Sequence, residues 1–128
     1  MRLLIDTHLL LWAAGQSARL SPQARGLIAD PDNELLFSAA SLWEIAIKAG
    51  LGRPDFSVDA ARLRRGLLTN GYHELAVTGE HAVAVMGLPM IHKDPFDRLL
   101  LAQGMVEDIT LLTSDPVMTQ YPVSVRQV

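Results

Sequence analysis

Arg2-Leu3-Leu4-Ile5-Asp6-Thr7-His8-Leu9-Leu10-Leu11-Trp12 passes from a short apolar run to an acid, a hydroxyl and a histidine, and then into a second apolar stretch. The first run reads as a strand and the second as a helix, so that Asp6 stands at the strand's carboxyl end. The same order returns late in the chain, where Ile109-Thr110-Leu111-Leu112 runs into Thr113-Ser114-Asp115. Open α/β sheets place ligands at the carboxyl ends of their strands, and both acids stand there. Glu44 and Asp97 also lie where an apolar run meets a polar boundary, so a parallel sheet gathers four acids at one edge. Carboxylates held together repel one another unless cations are present, and the arrangement points to a hard divalent cation.

Between these ends the pattern alternates. A helix to about Ala14 stops at Gly15, and Ser21-Pro22 supplies an N-cap and a first-turn proline for a helix through Ile28. After the turn cluster Asp30-Pro31-Asp32-Asn33, Glu34 to Phe37 reads as a second strand, and Ser38 to Ser41 cap a helix that ends at Gly50 and Gly52. Glu44 lies in its first turns. Gly50 to Asp55 is the loosest stretch, and a further helix follows from about Val58 to Leu68. Asn70-Gly71 then turns the chain into a third strand, His73 to Val77, and a helix from Gly79 to Met86. Asp94-Pro95 opens the longest helix, Phe96 to about Val106, with Asp94 at the N-cap and Asp97 in the first turn. Alternating strands and helices imply parallel pairing through right-handed crossovers: a single domain over residues 1–128, built as a three-layer α/β sandwich with a central parallel sheet.

The chain of 128 residues is 49% hydrophobic and 20% charged, the composition of an ordered globular protein. It has no cysteine, which leaves oxygen ligands and four histidines for any metal. The apolar N-terminus is interrupted by Asp6 and His8, so no leader is read there and a cytoplasmic location is expected. No apolar run approaches the roughly 20 residues that span a bilayer, and no membrane association is expected. The net charge of −3 does not bear on nucleic acid, because a nuclease with acids in its site can be basic around it. Basic residues gather at Lys48, Arg53, Arg62, Arg64 and Arg65, and at Lys93 and Arg98; one by one, they read as solvated helix faces rather than phosphate contacts.

Each acid has a plain structural use as well. Asp6 and Asp115 can cap the turns that follow them, Asp97 suits a helix N-terminus, and Glu44 can pair with Lys48 four residues on. Four such coincidences are harder to accept than one shared cause, since Glu44 sits between Trp43 and Ile45 in an otherwise apolar helix. The chemistry that such a set supports is phosphodiester hydrolysis, with Mg²⁺ or Mn²⁺ on two or three carboxylates acidifying a water and offsetting charge on the phosphate. A glycosidase needs two acids and leaves the others unexplained. None of His8, His73, His81 and His92 has a partner at the spacing of a zinc helix. His8 and His92 lie nearest the acids, where each either touches substrate or nearby water or caps and packs. Thr113 and Ser114, like Thr7, are hydroxyls that can orient water or cap. Asp94 is a further ligand or the N-cap, and its position favours the cap.

These residues also carry a family resemblance. Leu4-Ile5-Asp6-Thr7-His8, Ser41-Leu42-Trp43-Glu44-Ile45, His92-Lys93-Asp94-Pro95-Phe96-Asp97-Arg98 with Leu99 to Gln103, and Leu111-Leu112-Thr113-Ser114-Asp115 span nearly the whole chain in order. The chain resembles the PIN-domain ribonucleases, and among them the VapC-type toxins of bacterial toxin–antitoxin pairs. The resemblance implies a Mg²⁺- or Mn²⁺-dependent endoribonuclease with Asp6, Glu44, Asp97 and Asp115 as its acids. Asp6, Asp97 and Asp115 would hold the metal, with Thr113, Ser114, Asp94 and His92 in support. It also implies an RNA substrate, a cognate antitoxin and a homodimer. Gly104 departs from the alanine that the family prefers, at about 1 kcal/mol of helix propensity. Trp12, Trp43 and Phe56 are candidates for base stacking, although Trp43 reads better as core.

Two rivals stand beside this reading. A phosphoacceptor or phosphatase-type α/β domain would use Asp6 as nucleophile, but such phosphatases look for an aspartate two residues later, where this chain has His8. A non-catalytic PIN-like module would use the acids to grip a basic partner, and the presence of all four acids argues against it.

Overall fold

A computed structural model describes residues 1–52 and 56–128, among which five strands form one parallel sheet. The strands are β1 (Arg2–Ile5), β2 (Glu34–Ser38), β3 (His73–Leu75), β4 (Thr110–Thr113) and β5 (Val125–Gln127), in the order β3-β2-β1-β4-β5. The helices that connect them are α1 (Thr7–Gly15), α2 (Pro22–Ala29), α3 (Ala39–Gly50), α4 (Ala60–Thr69), α5 (Gly79–Ala84) and α6 (Pro95–Glu107).

Side chains alternate across the sheet and so build two cores. Leu3, Ile5, Phe37 and Leu112 face one side, where they pack with Leu9, Leu10, Ile45, Leu63 and Leu67. Leu4, Leu36 and Leu111 face the other and meet Leu100, Leu101, Met118 and Tyr121. This is the three-layer sandwich expected from the alternation, and the near-continuous apolar strands follow from burial on both faces.

The chain builds outward from β1 through β2 to β3, then returns to place β4 on the other side of β1. The switch in direction therefore falls between β1 and β4, where a crevice opens at the carboxyl edge of such sheets. Asp6 and Asp115 follow these two strands.

Several boundaries differ from the sequence reading. β3 ends at Leu75 rather than Val77, α4 begins at Ala60 with Asp59 as its cap, and the α5 segment tightens into a 3-10 turn over Val85–Gly87. The short β5 was not anticipated; it is an edge strand with one partner, too brief for a periodicity signal. The loose stretch expected from Gly50 to Asp55 lies partly outside the described residues, as does Arg53. Gly104 has a packing reason: a Cβ there would come within 3.1 Å of the Ile109 carbonyl oxygen, where α6 turns back into β4.

Candidate metal centre

Asp6 extends the β1 ladder by one residue, its N–H donating to the Leu112 carbonyl at 3.0 Å. Its side chain is 5% exposed. One carboxylate oxygen caps α1 by accepting the Leu9 N–H at 2.9 Å, and the other accepts the Thr113 hydroxyl at 2.5 Å. The same Thr113 oxygen accepts the Asp115 N–H at 3.1 Å. One buried hydroxyl at the end of β4 therefore ties together the acids that follow two neighbouring strands. Ser114 lies between them, partly exposed.

Asp115 divides its oxygens in a similar way. Oδ1 caps the next turn by accepting the Val117 N–H at 2.9 Å, while Oδ2 lies 3.1 Å from His92 Nε2. Asp97 Oδ2 is 3.2 Å from the same nitrogen. His92, Asp97 and Asp115 form a group whose candidate ligand atoms all lie within 4.8 Å of one another. Asp94 is the N-cap of α6, its Oδ1 accepting the Phe96 and Asp97 N–H groups at 2.8 and 3.3 Å. The capping uses foreseen for Asp6, Asp94 and Asp115 are thus real. For Asp115 a cap occupies one oxygen and leaves the second facing the cluster.

Glu44 reaches the group from α3. It is 3% exposed; Oε2 accepts from Lys48 Nζ at 2.9 Å, and Oε1 is buried without a hydrogen-bond partner among the described residues. The i,i+4 pair with Lys48 therefore exists, on a buried carboxylate rather than at the surface. Nearby, the Thr7 hydroxyl donates to Ser41 Oγ at 2.8 Å and joins the starts of α1 and α3.

The electrostatics follow from this crowding. Burial, then the neighbouring Asp94, and to a lesser degree Asp6 and Glu44, push the Asp97 carboxyl up to about 7 against the opposing effect of His92. Burial also raises Asp6, in spite of its bonds from Thr113 and Leu9. Both shifts are led by burial, which takes the carboxyls out of water and favours their neutral forms.

Two sequence expectations are corrected here. Trp43 is not core: it is 62% exposed, because α3 turns Ser41, Glu44 and Ile45 inward and leaves Trp43 outside, edge-on to Phe96 at 5.4 Å. Arg98 is not a solvated residue. It is buried, and its guanidinium donates to the carbonyls of Pro89 and Val85 and to the Tyr121 hydroxyl. Arg98 was read as lying beside Asp97, but its burial and the role of Tyr121 were not recognisable, because their partners are remote in sequence.

A groove of about 850 Å³ lies elsewhere, between α1, α2 and α4, lined by Leu11, Leu20, Ile28, Leu63 and Leu67 with Arg62 among them.

A parallel α/β sandwich with buried carboxylates drawn to the switch point of its sheet defines the class: an α/β domain with an acidic site at the sheet's carboxyl edge. The family model for the PIN domain matches residues 3–123, and the chain belongs to the PIN domain family. Comparison with curated proteins finds no match. Among solved structures, the chain is similar to one in VapBC2 from Rickettsia felis bound to a promoter DNA fragment, with a TM-score of 0.74 and 12% identity over 99% of this chain and 98% of that one. A toxin–antitoxin complex from Klebsiella pneumoniae gives a TM-score of 0.62 at 17% identity, over 98% and 99% of the two chains. VapBC-1 from nontypeable Haemophilus influenzae gives 0.61 at 16%, over 99% and 98%. At these identities the likeness is one of fold.

Proposed function

We propose that this PIN-domain protein is a divalent-cation-dependent endoribonuclease and the toxin of a type II toxin–antitoxin pair. The observation that carries the proposal is the carboxylate group: Asp6, Asp97 and Asp115 at one sheet edge, with Glu44 Oε1 buried beside them and without a hydrogen-bond partner among the described residues. An orphaned buried carboxylate oxygen is costly, and a hard cation or its water is the ligand that such a set fits. Asp6, Asp97 and Asp115 would hold Mg²⁺ or Mn²⁺, with Glu44 alongside. When bound, the cation supplies an acidified water and offsets charge developing on the scissile phosphate.

The chain's own residues do the rest. Thr113 fixes the relative placement of Asp6 and Asp115, Asp94 sets the first turn of α6 and so the direction of Asp97, and Lys48 offsets part of the Glu44 charge. Asp115, with a side chain 38% exposed, opens the group to a substrate from solution. A nucleophilic role for Asp6 is disfavoured, since it is buried and both of its oxygens already accept hydrogen bonds.

The partners follow from the same reading. The Rickettsia and Haemophilus relatives are VapBC assemblies and the Klebsiella relative is a toxin–antitoxin complex, which supports a cognate antitoxin here. The apolar groove between α1, α2 and α4 suits an amphipathic antitoxin segment. A homodimer is supported by the stripe Trp43, Ile47 and Leu51 along α3, which is 62%, 42% and 61% exposed. No helix among the described residues is long and apolar enough to cross a membrane, and we place the protein in the cytoplasm with its RNA. The test is cleavage of a mixed RNA pool by purified protein with Mg²⁺, with Mn²⁺ and with EDTA, beside Asp6→Asn. Cation-dependent cleavage that is lost in the variant is expected. A folded protein that binds partners yet cuts nothing with either cation would favour the non-catalytic module.

A further inference from the structure

His92 lies within reach of Asp97 and Asp115, and by distance alone it completes a three-residue metal group with them. Its hydrogen bonds argue otherwise. The Asp94 N–H donates to His92 Nδ1 at 3.1 Å, so Nδ1 offers a lone pair and the ring carries its proton on Nε2. That Nε2–H donates to Asp115 Oδ2 at 3.1 Å, and Asp97 Oδ2 lies 3.2 Å from the same nitrogen, in ion-pair contact rather than in line with the N–H. A nitrogen that bears a proton cannot ligate a cation. To free Nε2, the proton would have to move to Nδ1, directly opposite the Asp94 N–H.

The segment that carries His92 is fixed from behind. The His92 N–H donates to the Tyr121 hydroxyl at 2.6 Å, and Arg98 Nη1 also reaches that hydroxyl at 3.4 Å. The Arg98 guanidinium donates in addition to Pro89 O at 2.8 Å and Val85 O at 3.3 Å. A buried guanidinium bonded to two carbonyls and a phenol holds the stretch from Val85 to His92 against α6. Arg98 follows Asp97 directly in that helix, so the anchor and the acid move together.

We propose that His92 is a positioning residue and not a metal ligand: its Nε2–H holds the Asp115 carboxylate beside Asp97, the Asp94 N–H sets its tautomer, and Arg98 with Tyr121 holds its backbone. The cation is then left to carboxylate oxygens alone. The inference rests on the acids being a cation site, as proposed above. Ligand orientation by such a donor is worth about 10- to 100-fold in metal affinity.

The test is a long-range ¹H–¹⁵N spectrum of histidine-labelled protein, metal-free and at saturating Mg²⁺, with His92 assigned by comparison with His92→Asn. The expected result is a proton on Nε2 and none on Nδ1 in both states. A proton on Nδ1, on both nitrogens, or lost from Nε2 when Mg²⁺ is added would overturn the assignment. Mn²⁺ titration adds a second readout. His92→Asn, too short to reach the Asp115 carboxylate, is expected to lose roughly 10- to 100-fold in affinity, and His92→Gln, which keeps an N–H at that reach, clearly less. Equal losses in both variants would also count against the donor role. A protein that binds neither Mg²⁺ nor Mn²⁺ would sink the proposed function and the service of His92 to a cation. The metal-free spectrum would still decide separately where the ring holds its proton.

Discussion

Replacing Asp97 by asparagine removes a charge that the metal-free fold accommodates poorly, and the consequence for stability has a definite sign. The carboxyl is pushed from 3.8 up to about 7, first by burial and then by Asp94. Between those values the folded protein keeps a proton that the unfolded chain has released. Stability therefore falls as pH rises through this window and levels off above about 7. The span from 3.8 to about 7 corresponds to a ceiling of about 4 kcal/mol, and screening of a side chain that is 20% exposed brings the expectation to about 2 kcal/mol. In EDTA, Asp97→Asn should thus gain about 2 kcal/mol over the parent at pH 8 and little or nothing at pH 4. Urea unfolding at the two pH values measures this directly. Mg²⁺ at pH 8 should stabilise the parent and do so less in the variant, because binding to the folded state alone adds stability by mass action. A variant that loses as much stability at pH 8 as at pH 4 would refute the account of Asp97 as an uncompensated charge.

Three further outcomes follow from the same contacts. Thr113→Val removes the hydroxyl shared by Asp6 and the Asp115 backbone and should cost about 1–3 kcal/mol by urea unfolding, with weaker Mn²⁺ binding by calorimetry. Gly104→Ala gains up to about 1 kcal/mol in helix propensity but sets a Cβ 3.1 Å from the Ile109 carbonyl oxygen, so a net loss in thermal stability is expected. Ile47→Glu, on the exposed stripe of α3, should leave the far-ultraviolet dichroism unchanged and shift sedimentation from the proposed homodimer toward the monomer; an unchanged sedimentation coefficient would count against α3 as the contact of the proposed dimer.

The sequence by itself determined the alternation of strands and helices, the parallel sheet, and the placement of Asp6 and Asp115 at strand ends, because these depend on local apolar runs and the polar residues that end them. The Asp94 cap and the first-turn position of Asp97 were legible for the same reason: Asp94-Pro95 is a local signal. What lay beyond the sequence depends on partners distant along the chain. In α3 the apolar residues surround the helix, so only its neighbours decide that Glu44 turns inward and Trp43 outward. Arg98 reads as a surface cation until the carbonyls of Val85 and Pro89 and the Tyr121 hydroxyl close around it. β5 exists only because β4 offers it an edge. Tertiary structure also decided the bonding of the acids, since a Thr113 hydroxyl shared across two strands and a His92 ring bonded to Asp115 beside Asp97 depend on distances of about 3 Å that no local pattern encodes.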